Sequence, residues 1–158
     1  MNIIGRFLAR EDVVLGLDVF DKPGAIEELA VLLERHHHFR REIILSALWQ
    51  REQIGPTVLP NGVAVPHAIV EGLNHPIVLL ARTRIPITFG APDRRTVSIL
   101  FVIVVPEKAN EQHLEILATI SEMLSDDGFR RRLDSSHDAS EVHRLVSEWN
   151  GSGQASPP

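Results

Sequence analysis

The sequence predicts an α/β (α+β) fold, with a central mixed β-sheet flanked by α-helices on both faces. Three observations lead there. Apolar residues recur at helical spacing between Ile26 and Leu48, short β-branched runs take over between Val63 and Val105, and helical spacing returns from Asn110 to Trp149. The run Val97–Val105 is apolar almost without interruption, which suits a strand covered on both faces. Helices before and after it in the chain supply the two covers.

Each element has a local reason. Val13–Val19 leans towards β structure, and Asp21-Lys22-Pro23 then offers an N-cap with proline inside the first turn. Ile26, Leu29, Ala30 and Leu33 fall opposite Glu27, Glu28 and Glu34, so an amphipathic helix is expected to about His36. A second helix is expected over about 40–52, with Ile43, Ile44, Ala47 and Leu48 as its buried stripe and Gly55-Pro56 as its stop. After the turn at Asn61-Gly62, Val63-Ala64-Val65 reads as a brief buried strand that Pro66, lacking an amide hydrogen, ends. Ile77–Ala81 and Val97–Val105 are expected as central strands of one sheet. Pro86, Gly90, Pro92 and Asp93 punctuate a turn-rich excursion between them, with Ile87-Thr88-Phe89 as an edge strand. Pro106 stops the long strand. A third helix is expected from Asn110, as N-cap, to Ser125, with Leu114, Leu117, Ala118 and Leu124 inside and Asp126-Asp127-Gly128 as its exit. The basic run Arg130-Arg131-Arg132 reads as the solvated face of a short helix, and Asp138-Ala139-Ser140-Glu141 as a capping box opening a last helix to about Trp149.

Composition narrows the function. The 158 residues fit one domain, expected over 1–150, with a disordered glycine, serine and proline tail over 151–158. With 44% hydrophobic and 23% charged residues the chain is an ordinary globular one, and no apolar run approaches the roughly 20 residues that span a bilayer. Met1–Arg10 has no secretory pattern, and the absence of cysteine excludes thiol catalysis and agrees with a cytoplasmic protein. A net charge of −5 with scattered basic residues disfavours nucleic acid as a partner.

The chemistry centres on Gly62-Val63-Ala64-Val65-Pro66-His67, which presents one imidazole at a strand end, where α/β sheets commonly carry their chemistry. Imidazole is a nucleophile near neutral pH. His113 is expected at the third position of the helix leaving the long strand, on a positive helix end that favours an anion such as a phosphoryl group. Arg51 closes the second helix just before the loop leading to His67, and its guanidinium can clamp phosphoryl oxygens with two parallel hydrogen bonds. Each residue also has a plain structural use: His67 as a satisfied loop residue, His113 as a hydrogen-bond donor to a nearby carbonyl or carboxylate, Arg51 as a dipole partner at a helix C-terminus. As a set they supply the parts for phosphoryl transfer through phosphohistidine. His36-His37-His38 is not read as a metal site, because neighbouring histidines on a helix point around it and no carboxylate follows at ligand spacing. His75, His137 and His143 are expected to face solvent. No cofactor is called for.

At these residues the chain resembles the type-2 IIA domain of the bacterial phosphoenolpyruvate-dependent sugar phosphotransferase system, the fructose, mannitol and nitrogen-regulatory group. The resemblance runs from about Ile4 to Glu148. Its most specific parts are the segment ending in His67, Arg51-Glu52-Gln53-Ile54-Gly55, and Leu100–Pro106 followed by His113-Leu114. It implies the fold of the mannitol and fructose IIA domains and a phosphoryl-carrier function. His67 would be phosphorylated by the histidine-containing phosphocarrier protein, with His113 and Arg51 orienting it and stabilising the transferred group. Where that family commonly has Gly-Ser-Thr and a further glycine, this chain has Gly55-Pro56-Thr57-Val58, so Pro56 removes an amide donor and Val58 removes backbone freedom. Because no sugar-specific unit is attached, the resemblance favours the nitrogen-regulatory type, acting on regulatory target proteins. The alternatives are a stand-alone fructose- or mannitol-type component passing the group to a IIB partner, and a diverged binding module that has lost exchange. An apolar rim including Ile69 and Val70 is expected around His67.

Overall fold

The structure, a computed structural model, describes residues 1–151. The expected tail lies, apart from Gly151, outside the described residues. The order is α1 (Ile3–Phe7), β1 (Leu8–Leu17), α2 (Lys22–His37), α3 (Arg41–Ile54), β2 (Val58–Leu59), β3 (Val63–Ala64), β4 (His67–Ile69), β5 (Ile77–Thr88), β6 (Thr96–Val105), α4 (Asn110–Leu124), α5 (Asp127–Ser135) and α6 (Ala139–Glu148). The sheet runs β1-β5-β6-β3-β2, with β4 also on β6. It is mixed: β1 is parallel to β5, β5 antiparallel to β6, and β3 and β4 both parallel to β6.

The continuous apolar run of β6 is explained by its two faces. Leu100, Val102 and Val104 pack beneath Ile26, Leu29 and Leu33 of α2 and Ile44 and Leu48 of α3. Phe101, Ile103 and Val105 face Ile4 of α1, Ile116, Ile120 and Met123 of α4, Phe129 and Leu133 of α5, and Val142 and Val146 of α6. Alternate residues of one strand thus enter two cores. At about 1.5–3 kcal/mol for each fully buried large aliphatic side chain, this two-sided strand is a main anchor of the molecule.

Several boundaries differ from the sequence expectations. The short helix α1 has too few apolar positions to show a period. Ile87 and Thr88 are not a separate edge strand: they continue β5 past Pro86, paired to Val97 and Thr96 across a register shift that absorbs extra residues. In α4 the buried stripe is Ile116, Ile120, Met123 and Leu124; of the predicted positions Leu124 is buried and Leu117 packs partly against the core, but Leu114 and Ala118 face out, because the helix meets the sheet on another phase. Ile43 is likewise exposed, while Ile44 and Leu48 are buried as predicted. Asp127 and Gly128 begin α5 behind an Asp126 cap rather than closing α4. Asp21 caps α2 through the Gly24 amide at 2.8 Å, with Pro23 in the first turn as predicted.

Two histidine readings are corrected. His143 does not face solvent; its Nε2 donates to the Leu8 carbonyl at 2.8 Å, joining α6 to the start of β1. His36 and His37, though neighbours on α2, converge: His36 Nδ1 and His37 Nε2 donate to opposite oxygens of Asp12 at 2.7 and 2.6 Å. The helix ends there, with His38 in the left-handed conformation as its C-cap, and the last turn lies over the irregular part of β1 that carries Asp12. Asp12 is fully buried. A carboxylate so placed must be satisfied on both oxygens, and two imidazole N–H groups do this. Asp12→Ala is therefore expected to lower unfolding free energy by about 1–3 kcal/mol in denaturant titrations, through orphaned donors, whereas Asp18→Ala, which breaks only the exposed pair with Arg84, is expected to change it by about 1 kcal/mol or less.

Candidate functional site

His67 opens β4 rather than closing the strand before it. β3 pairs Val63 with Ile99 and Ala64 with Leu100, and β4 pairs His67 with Ile103, so both lie on the same edge of β6. Val65 and Pro66 interrupt them. Proline has no ladder donor, but its carbonyl accepts from the Ile103 amide at 3.0 Å, which keeps the chain on β6 through the break. The hairpin from β2 into β3 turns through Asn61 and Gly62, both at φ +79°, a conformation only glycine and a few polar residues accept readily.

The imidazole of His67 is oriented from both sides. Nδ1 lies 2.7 Å from the Val65 carbonyl, which only accepts, so the proton sits on Nδ1 and the lone pair on Nε2. Arg51 Nε donates to that Nε2 at 3.3 Å, and Arg51 Nη1 donates to the Gly55 carbonyl at 3.0 Å. His113 stands edge-on to His67, with ring centroids 5.4 Å apart at 65°. Its Nε2 is buried without a hydrogen-bond partner. The structure thus brings all three predicted residues together, from α3, β4 and α4. One detail changes: α4 starts at Asn110 behind an Ala109 cap, so His113 is the fourth helical residue and its own amide is already bonded to the Ala109 carbonyl at 2.9 Å.

The surroundings disfavour the charged form of both rings. Burial pushes His67 below its ordinary value of 6.5; the Val65 carbonyl opposes this, Arg51 reinforces it and Glu52 partly offsets it. His113 is also lowered, first by burial and then by the charge of a protonated His67. The arrangement is a neutral nucleophilic nitrogen, a guanidinium on it, and a second imidazole with an unsatisfied nitrogen beside it. It is fit to receive an electrophilic group that carries anionic oxygens. Among the described residues no group of His, Asp and Glu is placed to hold a metal ion.

Sequence reasoning missed several features around these residues. Glu52 is buried and accepts from Thr57 N at 3.3 Å, from the Thr57 hydroxyl, and from Lys22 Nζ at 2.8 Å. The signal was present: Ile44, Leu48 and Glu52 fall on one helical stripe, so the glutamate continues a buried face. Of the expected apolar rim, Ile69 is 50% exposed, but Val70, just past β4 with its amide on the Val105 carbonyl, is buried in the core beneath α2 and α3. Ile54 and Leu114, 81% and 68% exposed, are the rim residues that were not foreseen.

The fold and the site both point to a type-2 IIA domain, and comparison with known proteins agrees. Residues 6–149 match the family model described as phosphoenolpyruvate-dependent sugar phosphotransferase system, EIIA 2, and the chain belongs to this family. It is 36% identical over 126 residues to a nitrogen regulatory protein of Pseudomonas aeruginosa, covering 79% of this chain and 82% of that protein. It is 33% identical over 128 residues to the fructose-specific EIIA component of Haloferax volcanii, covering 80% and 83%. The crystal structure of the nitrogen regulatory protein IIA-Ntr from Neisseria meningitidis superimposes with a TM-score of 0.86 at 34% identity, covering 92% of this chain and 99% of that one. The mixed sheet with helices on both faces is therefore the family's fold, as the sequence predicted.

The lowered affinity of His67 for a proton has a direct test. In a nuclear magnetic resonance titration of the imidazoles, His67 and His113 are expected to have midpoints below 6.5. The sign for stability follows: the unfolded chain takes up these protons first, so their contribution is fully present above about pH 6.5 and is lost as pH falls through the folded-state midpoints.

Proposed function

We propose that the protein is a phosphoryl carrier of the phosphotransferase system, accepting the group on His67 Nε2 from a histidine-containing phosphocarrier protein, with a regulatory output of the nitrogen type in the cytoplasm. The observation that carries this reading is the orientation of His67: Nδ1–H on the Val65 carbonyl leaves Nε2 as the only nucleophilic ring atom, beside Arg51 and the unsatisfied His113 Nε2. In the transfer, the bond from phosphorus to the donor imidazole breaks and a bond to His67 Nε2 forms, the donor nitrogen recovering its electron pair. Arg51 leaves the Nε2 lone pair as phosphorus arrives and turns its donors to the equatorial oxygens, and His113 hydrogen-bonds a third. Positioning and charge stabilisation supply most of the acceleration in such a step.

Ile54, Ile69 and Leu114 lie within three residues of Arg51, His67 and His113 respectively and are strongly exposed, which supports docking of a partner around the imidazole. After transfer, about two negative charges stand on the phosphoryl oxygens inside this apolar rim, enough to alter which protein surface is accepted. The similarity to nitrogen regulatory proteins supports a regulatory output. The similarity to a fructose-specific component supports a second reading, delivery of the group to a IIB partner.

Incubation with phosphoenolpyruvate, enzyme I and the phosphocarrier is expected to add one acid-labile, alkali-stable phosphoryl group, mapped to His67 by mass spectrometry. His67→Ala is expected to take none. Arg51→Ala and His113→Ala are expected to slow labelling by about a hundredfold or more while keeping the folded circular-dichroism signal; unchanged rates in both would remove their roles. Replacing Ile69 or Leu114 by glutamate is expected to raise the phosphocarrier concentration needed for half-maximal labelling with little change in melting temperature. Transfer from the labelled protein to a IIB domain, but no phosphorylation-dependent capture of a kinase or transporter, would favour the sugar-delivery reading.

A further inference from the structure

The buried ion pair beside the site has no good explanation as a stabilising device. Lys22 Nζ and Glu52 Oε2 are 2.8 Å apart, with the glutamate side chain 1% exposed. Pairs this deep are commonly matched or bettered in stability by apolar residues of similar volume, because both charges lose hydration. What the pair does have is a place in an unbroken hydrogen-bonded path to the imidazole. The Glu52 carboxylate accepts the amide and the hydroxyl of Thr57, the Thr57 carbonyl accepts the Val65 amide at 2.7 Å, and the Val65 carbonyl accepts His67 Nδ1–H at 2.7 Å.

We propose that Glu52 and Thr57 are positioning residues for phosphoryl acceptance: Glu52, held by Lys22, fixes Thr57, and Thr57 fixes the Val65 carbonyl that selects the Nδ1–H form of His67. This rests on the phosphoryl-carrier reading. Three separate parts of the chain meet at the carboxylate: the start of α2 through Lys22, the last turn of α3 through Glu52 and the loop into β2 through Thr57. Lys22 is itself fixed, donating to the Phe89 carbonyl at 3.3 Å and lying 4.7 Å from the centre of that buried ring. Glu52 follows Arg51 directly, so the same helical turn orients the guanidinium and the loop. Pro56 has no amide to offer Glu52, so on the loop side the carboxylate is held by Thr57 alone, through both its amide and its hydroxyl. The carboxylate needs no donor from residue 56.

The mechanism requires a fixed tautomer. If the Val65 carbonyl drifts, the Nε2–H form becomes populated, and in that form the atom facing Arg51 carries a proton and cannot attack. A displacement of about 1 Å at such a centre costs up to roughly a hundredfold in rate.

The test uses the full chain with ¹⁵N-labelled histidine, read by long-range ¹H–¹⁵N spectra of His67, by the rate of phosphoryl acceptance and by the melting transition. The native protein is expected to show His67 in the Nδ1–H form. Thr57→Val, which keeps the shape and removes the hydroxyl, is expected to mix the two tautomers and to slow labelling by about tenfold, and Thr57→Ser to restore both. Glu52→Gln is expected to behave as Thr57→Val and serves as the second variant should the valine fail to fold. A folded Thr57→Val or Glu52→Gln protein with the native tautomer and native rate overturns the proposal. A tautomer shift in these variants, with no labelling of the native protein, instead leaves the positioning role standing and removes the carrier reading on which its purpose rests.

Discussion

Pairing of the broken β3–β4 segment along β6 sets everything else at the site. Pro66, with no amide to donate, separates β3 from β4 without taking either off β6. Ala64 and His67 stay in register with Leu100 and Ile103, while the Val65 amide continues the β2–β3 register to the Thr57 carbonyl and the Val65 carbonyl is left for the imidazole. A proline that only terminated a strand would have left the histidine on a loose tip. Here the imidazole opens a strand that is hydrogen-bonded to the most buried strand of the molecule, so its position carries the rigidity of both cores.

Burial then does two things at once. It places His67 and His113 where protonation is disfavoured, which leaves a free lone pair on His67 Nε2. It also leaves His113 Nε2 buried without a hydrogen-bond partner, an uncommon state for a polar group. Arg51 complements this: its charge lowers the proton affinity of His67, and its Nε donates to His67 Nε2. The site is therefore tuned for a group that brings its own negative charge.

The other buried carboxylate, Asp12, shows the same physics without the chemistry. Its two oxygens are occupied by His36 and His37, so two of the three histidines that look notable in the sequence make one structural contact between α2 and β1 and the third, His38, caps the helix. The two carboxylates reach the interior differently: Asp12 from the irregular part of β1, Glu52 from the buried stripe of α3 that also carries Ile44 and Leu48.

How much could be read in advance depended on the range of the interactions involved. The amphipathic stripe of α2, its Asp21 cap, the two-sided strand β6 and the family motifs around Arg51, His67 and His113 are local patterns, and the sequence alone determined the fold class and the three candidate residues from them. The stripe of α4 was misplaced because several apolar residues fit more than one helical phase and only contact with β6 selects among them. Glu52 and Asp12 were missed because burial of a charged side chain depends on partners far along the chain, Lys22 in one case and His36 and His37 in the other. The tautomer of His67 belongs to the same class. Which nitrogen carries the proton is decided by a carbonyl two residues away, but the direction of that carbonyl is set by Thr57 and by β6. Composition and spacing singled out His67; only the tertiary structure decided which of its ring atoms is presented, because that choice rests on hydrogen bonds between segments that the sequence keeps apart.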